Sequence, residues 1–231
     1  MALTADASEQ APSDASIVER IIAAVMEQKL PPGAKLPEGP LCEAFAISRT
    51  QIRRVLIVLA ERGVVALHMN RGAFIKSPDA GEARDVFEAR RAIERSIVLS
   101  AATRADRPAL KELHANVVAQ AAAEARGDRA QAIRLSGEFH LRLAEVAGNS
   151  VLVKLLEGLV ARTSLIIGLY GSHGVRSCAE AEHAALIGAL AERDGALAAN
   201  LMEDHLNHIE RVLDIHEIAE RRVDIRQVFG R

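Results

Sequence analysis

Between residues 15 and 78 three short helical patterns follow one another and run directly into a β-prone hairpin, an order that leaves few folds open. Helices this short are marginal alone and must bury their apolar faces against each other. Ile17, Ile21, Ile22 and Val25 recur at helical spacing until Lys29-Leu30-Pro31-Pro32-Gly33 ends the pattern, which predicts a first helix from about Ala15 to Lys29. Pro37-Glu38-Gly39-Pro40 opens a second helix with Leu41, Ala44 and Phe45 facing inward, and Ala46-Ile47 is a tight connection to the third. Ser48 and Gln51 form an S-x-x-Q capping box, after which Ile52, Val55, Leu56 and Leu59 continue the third helix to a stop at Gly63. Val64 to Leu67 and Ala73 to Ile75 read as a two-stranded hairpin, with Asn70 and Gly72 supplying the turn.

The remainder is longer in period and almost free of aromatic residues. The 231-residue chain has five Phe, one Tyr and no Trp, which suits aliphatic helix packing better than a sandwich or barrel and allows one or two domains. From about Gly81 onward, breaks at Asp106-Arg107-Pro108, Gly127-Asp128, Gly148-Asn149, Gly171 to Ser177 and Asp194-Gly195 delimit six helices. Ser177 and Glu180 form a second capping box, at the start of the helix that carries His183. The expected organisation is a tail over 1–14, a helix-and-hairpin head over 15–76, a linker over 77–81, a helical bundle over 82–222 and a tail over 223–231. Cys42 and Cys178 belong to no paired motif and suit reduced thiols. No run approaches eighteen apolar residues, and the N-terminus is small, polar and acidic, so a cytoplasmic chain without a membrane partner is expected.

The formal charge of −2 conceals an uneven distribution. Residues 15–78 hold nine basic and five acidic side chains, a surplus of +4. On the third helix Arg49, Thr50 and Arg53 occupy the exposed N-terminal turn, from which helix-turn-helix proteins reach base edges. Gln51 can also bond a base edge, although capping competes for it, and Arg71 beside Gly72 at the hairpin tip is placed to approach phosphate or the minor groove.

The bundle carries a second pattern. His140 shares a face with Ile133, Ser136, Leu143 and Ala147; His183 leads Leu186, Ile187 and Leu190; His205 shares a stripe with Leu197, Leu201, Ile209 and Val212. Three imidazoles on three helices then project toward one interior, where neutral imidazole suits Zn, Ni or Fe; buried, hydrogen-bonded core histidines are the plainer alternative. His68, His114, His173, His208 and His216 read as surface residues. Glu180-x-x-His183 has the spacing used by di-iron bundle enzymes, but no second such pair, phosphate loop or nucleophile elbow accompanies it.

Leu30-x-Pro32-Gly33-x-x-Leu36-x-Glu38-x-x-Leu41, Phe45-x-Ile47-Ser48-Arg49-x-x-Ile52-Arg53-x-x-Leu56-x-x-Leu59 and Asn70-Arg71-Gly72-Ala73-Phe74 together resemble the winged helix-turn-helix of the GntR family of bacterial transcription regulators. The resemblance implies DNA contacts at Ser48, Arg49, Thr50, Gln51, Arg53 and Gly72. Gly39 and Arg54 depart from the family pattern, where arginine and glutamate are common.

Phe87 to Glu94, Glu138-Phe139-His140 with Gly148-Asn149, Glu182-His183 and Glu203-Asp204-His205-Leu206 resemble the FCD effector domain of the FadR-type branch. That resemblance implies an all-helical, dimeric bundle and a divalent metal held by one aspartate and three histidines. The histidines correspond to His140, His183 and His205, while Ser136 stands at the aspartate position. Zinc is the first expectation for the metal, with nickel or iron as alternatives. Arg90 is a candidate partner for an effector carboxylate, with a helix-surface ion pair to Glu94 as the equal alternative. Together these readings predict a mainly α protein: a homodimeric, ligand-responsive regulator, of the repressor kind, binding a two-fold symmetric double-stranded operator. The effector site would comprise Arg90, Ser136, His140, His183 and His205. The alternatives are a metal-dependent bundle enzyme or a regulator with a metal-free bundle.

Overall fold

The computed structural model describes residues 12–171, 179–214 and 223–230. The head is built from α1 (Asp14–Met26), β1 (Lys35–Leu36), α2 (Glu38–Phe45), α3 (Arg49–Glu61), β2 (Val65–His68) and β3 (Gly72–Ile75). Ser13 caps α1 and Ser48 caps α3, each accepting a backbone N–H three residues on. Ala46 at φ 54° ends α2 in the left-handed region, which compresses the α2–α3 connection to three residues, Ala46, Ile47 and Ser48. Asn70 and Gly72 both take positive φ at the hairpin tip.

The wing has three strands where the sequence predicts two. Lys35 and Leu36 pair antiparallel with Phe74 and Ala73, placing β3 in the middle of the order β1-β3-β2. A two-residue strand leaves no alternation to read. Its existence is decided by Ile75 N–H donating to Ala34 O at 2.8 Å, a contact from across the head.

The bundle contains α4 (Ala80–Arg104), α5 (Arg107–Ala125), α6 (Arg129–Ala147), α7 (Ser150–Tyr170), α8 (Ala179–Ala191) and α9 (Gly195–Arg211). Asp79, Asp106, Asp128, Asn149 and Asp194 cap five of them, so most of the breaks are also start signals. The Ser177–Glu180 capping box lies outside the described residues, apart from Glu180 itself, which is exposed. On α9 the buried stripe is Ala198, Ala199, Met202, His205 and Leu206, whereas Leu197 and Val212 are exposed. The stripe is rotated from the predicted one because the small alanines let α4 pack closely against α9.

Helix α1 packs on α6 and α7, and polar contacts join the head to the bundle at the same place. Arg129, at the start of α6, donates Nε to Met26 O at the end of α1 and Nη2 to Ile167 O and Gly171 O at the end of α7. A guanidinium there satisfies orphan carbonyls of two helix ends at once. Residues 223–231, expected as a tail, include α10 (Ile225–Phe229), which packs on α2. Phe229 meets Phe45 with ring centroids 4.9 Å apart, and Arg226 pairs with Glu43. A five-residue helix carries too little periodicity to declare itself; α2 supplies the surface that makes it worth forming.

Candidate DNA-reading surface and histidine centre

Ser48, Arg49, Thr50 and Arg53 are exposed along the first turns of α3, and Arg71 and Gly72 are exposed at the tip of the wing. Arg53 Nε reaches both carboxylate oxygens of Glu38, at 2.9 and 3.1 Å, and this hydrogen bonding, helped by the guanidinium charge, holds Glu38 below the usual carboxylate range. The predicted reciprocal capping by Gln51 is not made. The Ser48 hydroxyl accepts from Gln51 N–H, but the Gln51 side chain donates to Pro12 O at 3.0 Å because the segment before α1 crosses within reach. Arg54 ties α3 to α1 through Asp14, with Nε 2.9 Å from Oδ2. This contact gives its departure from the family pattern a structural partner.

Inside the bundle, His140, His183 and His205 are all buried and converge from α6, α8 and α9. Nε2 of His183 lies 3.1 Å from Nε2 of His205, which lies 3.3 Å from Nε2 of His140, and ligand atoms of all three fall within 4.8 Å of one another. Zn–N bonds of ~2.0–2.1 Å put neighbouring nitrogens ~3.0–3.4 Å apart, so these separations fit two edges of a coordination polyhedron.

The outer nitrogens explain the orientation. His140 Nδ1 contacts Glu94 Oε2 at 2.5 Å and His205 Nδ1 contacts Glu182 Oε2 at 2.6 Å. Ionised carboxylates only accept, so both Nδ1 atoms carry a proton, and in the neutral ring Nε2 then turns a lone pair inward. At most one proton, that of His183, is then available for three converging nitrogens. His183 stacks face to face on Phe139 with centroids 3.9 Å apart, and its Nδ1 is buried without a partner. Burial pulls His140 down to about 4 against the raising effect of Glu94, and burial also holds His183 well below the ordinary value. Neutral imidazole, the ligating form, results at both.

Arg90 settles between its two readings. It is 2% exposed and its Nε meets Glu94 Oε1 at 2.6 Å, so the ion pair exists but lies in the interior rather than on the helix surface. Burial pushes Glu94 up, yet Arg90 and His140 outweigh it and hold the carboxyl at about 2. Arg90 Nη2 remains buried and unpartnered. Ser136, half-buried one turn before His140, offers a neutral hydroxyl where the family resemblance implies a carboxylate.

Glu94 and Glu182 were not among the predicted site residues. Glu94 was visible only as an i+4 partner of Arg90, and Glu182 only as the neighbour of His183. Glu182 also holds His208, with Nδ1 2.6 Å from Oε1, so His208 is half-buried at the rim rather than fully at the surface. His173 and His216 lie outside the described residues. Glu180 is exposed and takes no part in the histidine cluster, which removes the residue pair behind the enzyme alternative.

The chain thus joins a winged helix to a helical bundle with a polar, histidine-lined interior. Residues 14–75 match the model for bacterial regulatory proteins of the gntR family, and residues 85–208 match the FCD domain. The chain belongs to the GntR family of transcription regulators, with an FCD domain as its C-terminal part. It is 29% identical over 81% of its length to an HTH-type transcriptional regulator in an unstable DNA locus of Streptomyces ambofaciens, and covers 81% of that protein. It is 25% identical to the transcriptional repressor RspR of Escherichia coli, over 84% of each chain. The fold matches a GntR transcriptional regulator from Rhodococcus sp. RHA1 with a TM-score of 0.71 at 22% identity, covering 86% of this chain and 95% of that one. These relatives are regulators rather than enzymes. Among the described residues no helix is long and apolar enough to cross a membrane.

Proposed function

We propose that this DNA-binding regulator is a homodimeric repressor whose bundle holds a divalent metal on His140, His183 and His205 and binds a small carboxylate effector there. The observation that carries this reading is the convergence of three Nε2 atoms, two of them with lone pairs turned inward by Glu94 and Glu182. The donor set fits a zinc ion, with nickel or iron next, since borderline dications favour imidazole. Bound there, the metal supplies a Lewis-acidic seat for a carboxylate. Ser136 adds no charge, so the remaining coordination positions are left to water or the effector, and Arg90 Nη2 is available to the carboxylate as a charge-assisted donor.

At the head, Ser48, Arg49, Thr50, Gln51 and Arg53 read the operator's major groove, and Arg71 with Gly72 engages the adjacent backbone or minor groove. A dimer matches a two-fold operator, and the repressor role accords with the printed role of the E. coli relative. Effector binding acts by preferring one arrangement of the two heads. Arg129 at the head of α6 ties the helix bearing His140 to the end of α1, which provides a physical connection between site and head.

Mobility shift with DNA flanking the chain's own gene, together with metal analysis of the purified protein, tests this reading. Specific binding relieved by a small carboxylate is expected. Absence of specific binding at every salt concentration would sink the regulator reading, and a metal-free protein that also fails to take up zinc would sink the metal reading.

A further inference from the structure

Helix α3 carries one large apolar side chain on its exposed face. Ile52, Val55, Leu56 and Leu59 are buried in the head and Val58 is half-buried, whereas Ile57 is 49% exposed. Viewed down the helix axis, Ile57 falls between Arg53 and Thr50, near the middle of an arc bounded by Arg49 and Arg54, all of them exposed. The DNA contacts on α3 that the family resemblance implies stop at Arg53 and do not include Ile57.

The surroundings select the partner. Three arginines frame Ile57, and residues 15–78 carry a surplus of +4, so the face is complementary to a polyanion. Glu61, exposed one turn beyond Ile57, meets phosphate as a like charge and closes the face at its C-terminal end. At 1.5 Å of rise per residue, Ile57 stands ~6 Å along the axis from Arg53 and ~12 Å from Arg49. That span is comparable with the ~12 Å width of the major groove of B-DNA, so a groove that admits the arginines also reaches Ile57.

Isoleucine has no hydrogen-bonding atom in its side chain. Packed on N7, O6, N6 or N4 of a base edge, it strips water and returns no hydrogen bond, which is costly. The apolar group that an unmodified base pair presents in the major groove is the C5-methyl of thymine. Branching at Cβ also holds the side chain near a single χ1 rotamer in a helix, so ordering it on the methyl costs little conformational entropy. The geometry points to Ile57 as a specificity-determining residue that packs on a thymine C5-methyl and disfavours other bases at that step. This inference rests on the reading of DNA by α3 stated above.

The test uses the full-length protein and duplexes selected with it from a random-sequence pool. In the tightest binder each thymine is replaced in turn by deoxyuridine, which removes the C5-methyl and changes nothing else on the base, and affinity is read by mobility shift. At one position or more the wild type loses about fourfold, the effect of one methyl group left out of contact. Ile57→Ala weakens binding to the thymine duplex by at least that factor and binds the thymine and uracil duplexes equally at that position. Thr50→Ser, which removes the threonine methyl on the same arc, leaves the discrimination in place. Ile57 is exposed, so the alanine variant folds as the parent does; a thermal melt checks this, and the uracil scan of the wild type stands without it. A scan with no position sensitive to methyl loss overturns the inference, as does a penalty that persists undiminished in Ile57→Ala or vanishes in Thr50→Ser. If Ile57→Ala changes the oligomeric mass in light scattering while DNA affinity is intact, the face belongs to a second copy of the chain and the inference falls. Enrichment of no duplex from the pool sinks DNA reading by α3 itself, and this inference with it.

Discussion

Nε2 of His183 lies 3.1 Å from Nε2 of His205, and in the neutral ring the latter nitrogen presents a lone pair because Nδ1–H on the opposite side donates to Glu182. The same carboxylate therefore sets how strongly His205 would ligate. Glu182→Gln is expected to lower zinc affinity about 10- to 100-fold, the usual consequence of losing a carboxylate behind a ligating imidazole. Competition titration against a chromophoric chelator measures it, and unchanged affinity would separate Glu182 from the site.

The head should respond to charge in a graded way. Arg49→Ala or Arg53→Ala is expected to abolish the specific mobility shift. Any residual binding should show a slope of log affinity against log salt smaller by about 1 for each arginine that meets a phosphate. Arg53 differs from Arg49 in being paired with Glu38. Glu38→Gln should therefore raise non-specific affinity at low salt, which a titration with unrelated duplex DNA would reveal.

Acid should destabilise the metal-free bundle in two overlapping windows. His140 falls from an ordinary 6.5 to about 4, so between those values the unfolded chain binds a proton that the folded one refuses. Glu94 falls from 4.5 to about 2, with the same sign: folded-state stability present above the ordinary value is lost as pH drops toward the folded one. Urea unfolding of chelator-treated protein should show stability falling below about pH 6.5, at up to ~1.4 kcal/mol per pH unit for each proton. His140→Gln should flatten the upper window.

The C-terminal clasp is open to the same kind of measurement. Phe229 is buried against Phe45, and Phe229→Ala is expected to cost about 3 kcal/mol in urea unfolding, within the usual range for a buried aromatic ring. Arg226→Ala, which breaks only an exposed ion pair with Glu43, should cost under about 1 kcal/mol. Equal effects of the two would mean that the apolar contact does not hold α10.

Much of this architecture was written locally. Capping residues such as Ser48, Asp106 and Asn149 and positive-φ positions such as Asn70 and Gly72 act within a few residues of themselves, so the helix order and the hairpin could be read along the chain. The inward faces of His140, His183 and His205 followed from helical spacing in the same way, although the buried stripe around His205 is rotated from the one the spacing gives, and the family resemblance supplied the expectation that the three ligate a metal.

What could not be read were relationships between distant segments. Pairing of β1 with β3, seating of α10 on α2 and the hold of Arg129 on two helix ends have no local signature. Glu94 and Glu182 looked like ordinary helical carboxylates until folding placed each against an imidazole more than twenty residues away, or more than forty for Glu94. Local propensities and periodicities determined which elements form and which faces are apolar. The protonation, orientation and partners of the buried polar groups were decided only when tertiary packing removed water from around them, because in a desolvated interior a charge or lone pair takes its state from its neighbours.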